Sequence, residues 1–424
     1  MTRSPLRLDR AAVALRFADV RARTEALAAP LTPEDAMVQS LPEASPVKWH
    51  LAHTTWFFEE FVLARFDPAH RWTDDRWRIL FNSYYDQVVP RPERAARAAL
   101  SRPSLGEVHA WRGSVDTRLN AFLDRADQVA LAATLLGTHH EEQHQELILT
   151  DTKHALWSNP IHPAYAVDTP AAKSERAAGG SSWCDFETTV ANIGSRGESF
   201  AFDNETPCHR AIVESFALVS RLVTNAQYAA FIEDGGYQKP GLWLSDGWNA
   251  VQEGGWRAPL YWERPNERDH GWSEFGLRGL RAIDAETPVQ HVSFFEADAY
   301  ARWAGARLPT EQEWERAAQG HDVAGNFVDS GLLAPAPARR HGSALVQLFG
   351  DVWEWTASAY LPYPRFQPLP GALGEYNGKF MSGQMVLRGG SCLSPRDHLR
   401  ATYRNFFPPS TRWQATGIRL ARDP

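Results

Sequence analysis

The sequence changes character between Val167 and Ser182, and that change limits what the chain can fold into. From Leu8 to about Leu156 apolar residues recur three and four positions apart among plentiful Ala, Leu, Arg and Glu, which is the period of helices that bury one face. Two such segments run from Pro46 through Trp49, Leu51, Trp56, Phe57, Phe61 and Val62, and from Val129 through Leu135, Leu147 and Ile148. The stretch VDTPAAKSERAAGGSS then loses the period and collects Pro, Gly, Ser and charge. Beyond it come short β-like runs such as AIVESFALV, turn signals such as EDGGY and LRGGS, and a helical insert around FFEADAYARWAG. The pattern predicts an α+β protein: a helical bundle over 1–166, a linker over 167–182 and a loop-rich α+β domain over 183–424. The 424 residues exceed one ordinary hydrophobic core, in keeping with two domains. The 17 Trp residues, many in the second half, point to buried rings holding irregular backbone together.

Charge and composition exclude several function classes. A net charge of -7 with no long basic block argues against nucleic acid as a partner, since phosphate contacts need clustered Lys and Arg. No run approaches the ~18 apolar residues of a membrane span, and the first residues lack the apolar core of a secretion signal. A cytoplasmic location and a small-molecule partner are expected. Cys184, Cys208 and Cys392 form no C-x-x-C pair and are read as ordinary thiols.

The strongest chemical signal is His140-Glu141-Glu142-Gln143-His144-Gln145-Glu146, within what reads as an amphipathic helix. Residues four apart lie on one helical face, so His140 and His144 can turn both imidazoles to one ion. The string matches the H-E-x-x-H of zinc proteases in its first two and last letters, but no third protease ligand follows at the usual distance, which leaves a protease a weak reading. A third ligand is available from Trp49-His50-Leu51-Ala52-His53 on an earlier helix of the same bundle; His53 is the choice and His50 the reserve. Three neutral imidazoles leave coordination positions open, as a catalytic site requires, but they serve zinc, copper, iron and nickel alike.

The strings SPVKWHLAHTTWFFEEFVL, LFNSYYD, HEEQHQE, FAFDNETPCHR, RLVTNAQYAAFIEDGGY, LWLSDGW, RLPTEQEWERAA, GDVWEWTAS, LRGGS and TYRNFFPPSTRW together resemble the sulfoxide synthases of ergothioneine biosynthesis. The motifs extend from about position 45 to 421. The resemblance implies a DinB-like four-helix bundle carrying the metal, followed by a domain of the formylglycine-generating-enzyme type, a variant of the C-type lectin fold that completes the substrate pocket. It implies iron(II) on His53, His140 and His144, with dioxygen as co-substrate. The family joins a thiol sulfur to imidazole C2 of hercynine, the trimethylated histidine, and oxidises the sulfur to a sulfoxide.

By the same resemblance Tyr85, with Tyr84 as the alternate, is the donor of a proton or hydrogen atom. Gln143 and Asn405 would hydrogen-bond the carboxylate or ring of hercynine. Its quaternary ammonium cannot donate a hydrogen bond and is best held by aromatic faces, for which Phe406, Phe407 and Trp413 are candidates. The anionic thiol substrate calls for cationic clamps, with Arg102, Arg404 and Arg412 as candidates.

Two stretches depart from the cysteine-using branch of the family: PRPERAARAALSRPS is longer and richer in Ala, and CDFETTVANIG lacks a Gly pair. They bear on the second substrate, which is cysteine, γ-glutamylcysteine or a selenosugar. A selenosugar would make the chain a selenoneine synthase, forming a carbon-selenium bond. Further readings are a DinB-type thiol transferase holding zinc or nickel, a formylglycine-generating enzyme, which would want a reactive cysteine pair that Cys392 lacks, and a non-catalytic lectin-like module.

Overall fold

The computed structural model describes residues 7–83, 85–88, 92–166, 180–264, 271–339, 344–375 and 377–424. They form two compact units, Met1–Tyr165 with Leu369–Tyr376, and Ala166–Pro368 with Asn377–Pro424. Most of the expected linker lies outside the described residues. The first unit also takes in a short segment of the later chain: Glu375 accepts the backbone N–H groups of Asp86 and Gln87 at 3.1 and 3.0 Å, contacts no local pattern announces.

Helices build the first unit. Helix α1 (Arg10–Ala28) is capped by Asp9, whose carboxylate accepts from Ala12, and buries Val13, Phe17, Val20 and Thr24 along one stripe. Helix α2 (Val47–Phe58) starts after Pro46 and is buried at every position, so it runs through the middle of the bundle. It continues through a π-helical turn, Glu59–Leu63, into the short α3 (Ala64–Phe66). The π turn aims the buried Glu59 carboxylate at Trp111 Nε1 (2.7 Å) and Arg118 (2.8 Å). After the short α4 (Asp75–Leu80), Ser104 and Glu107 form a reciprocal capping box that starts α5 (Leu105–Leu123). Asp127 caps α6 (Gln128–Trp157), a 30-residue helix packed against α1 and α2.

Helix α6 differs from the amphipathic helix expected of it. From Leu136 to Lys153 nearly every residue is buried, polar ones included. The polar groups are matched from neighbouring helices: Glu141 holds Arg21 of α1 at 2.9 Å and a short contact to Arg112 of α5, and Gln145 donates to Val20 O and Thr24 Oγ1. Sequence periodicity reads polar as exposed, and here paired polar groups line an interior helix.

The second unit is α+β with short strands. The expected AIVESFALV run is a pair of strands, β3 (His209–Val213) and β4 (Phe216–Val219). β3 pairs with β2 (Thr189–Ile193), and β4 lies between β1 (Trp183–Phe186) and the terminal β12 (Ala421–Arg422). Strands β5 (Trp262–Glu263), β6 (Ser273–Gly276) and β7 (Gly279–Ala282) form an antiparallel ribbon. The remaining sheet runs β10 (Asn405–Phe407), β9 (Met385–Arg388), β8 (Trp353–Ala359), β11 (Thr416–Gly417), with only the β8–β11 pair parallel.

Helices α7 (Asn225–Glu233), α8 (Ser245–Gly254), α9 (Phe294–Trp303) and α10 (Glu311–Ala318) pack among them, three of the four begun by a capping box. The LRGGS turn needs its glycines: Gly389 and Gly390 have φ of 96° and 84°, and a Cβ on Gly389 would lie 2.7 Å from Leu348 O. As the composition suggests, indoles fill the core, with Trp314, Trp353 and Trp355 all buried. Among the described residues no helix is long and apolar enough to cross a membrane.

Candidate metal centre

Helices α2 and α6 bring together the three histidines singled out in the sequence. One ligand-capable nitrogen from each of His53, His140 and His144 lies within 4.8 Å of the others, and all three rings are buried. His140 Nε2 is 3.3 Å from His53 Nε2 and 3.2 Å from His144 Nε2. Two imidazoles bound to one ion at about 2.1 Å, at right-angled to tetrahedral spacing, hold their nitrogens roughly 3.0–3.4 Å apart. Both spacings fit imidazoles that share a single first-row cation.

Donor chemistry agrees with that fit. His53 Nδ1 sits 2.6 Å from Phe81 O, an acceptor, so this nitrogen carries the proton and Nε2 keeps its lone pair for the centre. Burial makes the imidazoles poor proton acceptors: it lowers His140 to about 3, and with the neighbouring imidazoles it holds His53 and His144 well below the ordinary histidine range. Neutral rings are the form that binds a metal.

Aromatic rings enclose the centre. Trp49 stacks on His53 with centroids 4.5 Å apart, Trp56 covers the same ring at 5.5 Å, and Phe57 lies 4.5 Å from His140. Arg97 adds a cation 3.4 Å from the Trp49 centroid while donating to Ser45 Oγ and Ser83 Oγ. His50, the reserve ligand, does not join the three. Its Nδ1 faces His144 Nδ1 at 2.8 Å and its Nε2 faces Asp151 at 3.1 Å, so it stands behind His144.

Tyr85 is buried against Phe61, Trp56 and Phe57, with centroids at 4.8, 5.6 and 6.4 Å, and so touches two of the rings that enclose the histidines. Asn82 fixes its backbone, accepting from Tyr85 N and donating to Tyr85 O. Tyr84 lies outside the described residues. Gln143 is half-buried on α6 between the two histidines, and Arg102 is exposed.

In the second unit Asn405, Phe406 and Phe407 form β10, all partly exposed. Alternation along the strand separates the two phenylalanines: Phe406 stacks on Tyr360 at 4.0 Å, whereas Phe407 meets Trp413 edge-on at 6.2 Å. The clamps expected of Arg404 and Arg412 find their guanidiniums already engaged. Arg404 is buried, pairs with Glu311 at 2.9 and 3.0 Å and donates to Asn204 O and Leu361 O. Arg412 pairs with Glu296 at 3.0 and 2.8 Å and lies over Trp256. Each of the two guanidiniums thus meets a buried carboxylate of its own domain.

Comparison with known proteins matches this architecture half by half. Residues 16–154 fit the model of the DinB superfamily, and residues 179–344 and 334–424 fit that of the sulfatase-modifying factor enzyme 1-like domain. The hercynine oxygenase of Mycolicibacterium thermoresistibile is 33% identical over 98% of this chain and 95% of its own length. The chain belongs to the hercynine oxygenase family. Another hercynine oxygenase, from Mycobacterium tuberculosis, is 32% identical over 90% of the chain and 92% of that protein. The formylglycine-generating enzyme of Streptomyces coelicolor, 30% identical, covers 54% of the chain. Family membership accounts for the pairing of helical bundle and α+β domain expected from the motifs.

Proposed function

We propose that the protein is an iron(II)- and dioxygen-dependent enzyme that joins sulfur to imidazole C2 of hercynine and leaves the sulfur as a sulfoxide. What carries this reading is the convergence of three buried imidazole nitrogens within 4.8 Å in a chain of the hercynine oxygenase family. The reaction balances: the C2–H and S–H bonds break, the C–S bond forms, dioxygen accepts four electrons, one oxygen ends on sulfur and the other leaves as water. Iron(II), when bound, supplies the redox chemistry that activates dioxygen for this coupling.

The chain's own residues do the rest. His53, His140 and His144 would hold the ion. Trp49, Trp56 and Phe57 keep water from the histidines, which preserves the neutral imidazoles. The phenol of Tyr85 supplies a proton or hydrogen atom from its Oη. In the second unit Asn405 offers the polar end of hercynine a hydrogen bond, and the Phe407–Trp413 pair offers its trimethylammonium group aromatic faces. Arg102 attracts the anionic donor.

A second reading differs only in that donor. The Ala-rich PRPERAARAALSRPS stretch, in which Arg94–Ala99 forms a 3-10 turn that turns Arg97 onto Trp49, departs from the cysteine-using branch and favours a selenosugar, with carbon-selenium bond formation.

Anaerobic loading with iron(II), followed by air, hercynine and each of cysteine, γ-glutamylcysteine and a selenosugar, tests both readings by product mass. A hercynyl sulfoxide supports the first and a selenium-linked product from the selenosugar alone supports the second. No coupled product with any donor would overturn both.

A further inference from the structure

Behind the candidate metal centre a chain of polar groups runs from His144 to Asp151. Asp151 is seven residues beyond His144, two turns on along the same face of α6. His50, one turn before His53 on α2, fits between them. Asp151 Oδ2 lies 3.1 Å from His50 Nε2 and accepts the backbone N–H of Ser45 at 2.8 Å, while His50 Nδ1 lies 2.8 Å from His144 Nδ1. All three side chains are buried.

The donor inventory settles the protons along this chain. A carboxylate only accepts, so His50 donates from Nε2. A neutral imidazole then has its lone pair on Nδ1, so His144 must donate from Nδ1. The lone pair left to His144 is on Nε2, the atom 3.2 Å from His140 Nε2. Were His50 absent, the buried N–H of His144 would lose its acceptor, and the opposite tautomer, with its proton on Nε2, would become accessible.

We propose that His50 and Asp151 are positioning residues that fix the tautomer and ring direction of His144 for metal binding. The inference rests on the proposed reading of His53, His140 and His144 as the ligands. Outer partners of this kind typically support metal affinity by about 10–100-fold. Helices α2 and α6 run antiparallel here, His53 facing His140 and His50 facing His144 and Asp151, so one pair of helices supplies both the ligands and the brace.

The test is metal affinity in the full chain, free of substrates and oxygen. Iron(II) and cobalt(II) are titrated against a competing chelator, and the visible spectrum of the cobalt form reports ligand geometry. His50→Phe keeps a ring against Trp49 but offers no acceptor; it is expected to bind about 10–100-fold more weakly, with an altered cobalt spectrum. His50→Gln restores an acceptor oxygen and is expected to recover part of the loss, which a purely packing role would not predict. Asp151→Asn, which removes the charge, is expected to fall between His50→Phe and wild type.

Far-UV circular dichroism of the metal-free variants checks folding. A folded His50→Phe with unchanged affinity and spectrum overturns the proposal, and should that variant not fold, an unchanged Asp151→Asn overturns it. His140→Ala separates the two levels. If it loses the metal while His50→Phe keeps it, only the brace is wrong; if it binds metal as wild type does, the three-histidine site falls and the brace with it.

Discussion

Glu141 and Arg21 meet at 2.9 Å with both side chains buried, one residue along α6 from His140. Glu141 also holds Arg112, so the helix that presents two candidate ligands is tied to α1 and α5 through a single carboxylate. Breaking a buried pair on one side leaves an uncompensated charge. Glu141→Gln leaves two buried guanidiniums facing an amide and is expected to cost about 3–5 kcal/mol, read from urea unfolding of the metal-free chain.

The second unit carries its own pH signature at Asp351. Burial raises its carboxyl to about 6, although Asn326 Nδ2, the N–H of Ala336 and Gln347 Nε2 all donate to it. A raised folded value means the native state binds more protons than the unfolded chain between about 4 and 6, so stability falls as pH rises through that window and is level above it. Asp351→Asn suits the left-handed backbone there, φ 57°, and removes the ionisation. Thermal unfolding across roughly pH 4–7, which spans that window, should lose this slope in the variant and keep it in wild type.

Tyr85→Phe keeps the ring packed against Phe61, Trp56 and Phe57 and removes only the hydroxyl. Coupled product is expected to fall by about 100-fold, the lower range for a positioned proton donor, while the thiol is oxidised without coupling. Unchanged product would end the donor assignment.

Trp413 meets Phe407 edge-on and both rings are partly exposed. If they hold the trimethylammonium group, Trp413→Ala should weaken hercynine binding by about 10-fold, or ~1.4 kcal/mol, while histidine, which lacks the methyl groups, binds wild type and variant alike. Isothermal titration of both ligands reads the difference.

Local pattern made much of this legible. The four-residue spacing of His140 and His144 and the earlier WHLAH string located the candidate ligands, because helical periodicity fixes which side chains share a face. The local pattern also located β3, β4 and α9. What escaped was whatever depends on a distant partner. The ion pair of Arg404 with Glu311, 93 residues earlier, gives no local sign. His50 looked like a spare ligand because its partner Asp151 is 101 residues away. The sequence reads α6 as amphipathic, since a single sequence does not show that Arg21 and Arg112 come to meet Glu141. The segment Leu369–Tyr376 joins the first unit through Glu375, again by long-range hydrogen bonds.

The proposed coupling needs one iron on three histidines. Its most direct test measures, side by side, iron bound per chain and coupled hercynine product for wild type and for His53→Ala, His140→Ala and His144→Ala. The expected result is that each variant folds, loses tightly held iron and makes no coupled product under air, whereas wild type holds one iron and turns over. Full turnover by any variant, or by wild type stripped of metal, would rule out the three-histidine iron site.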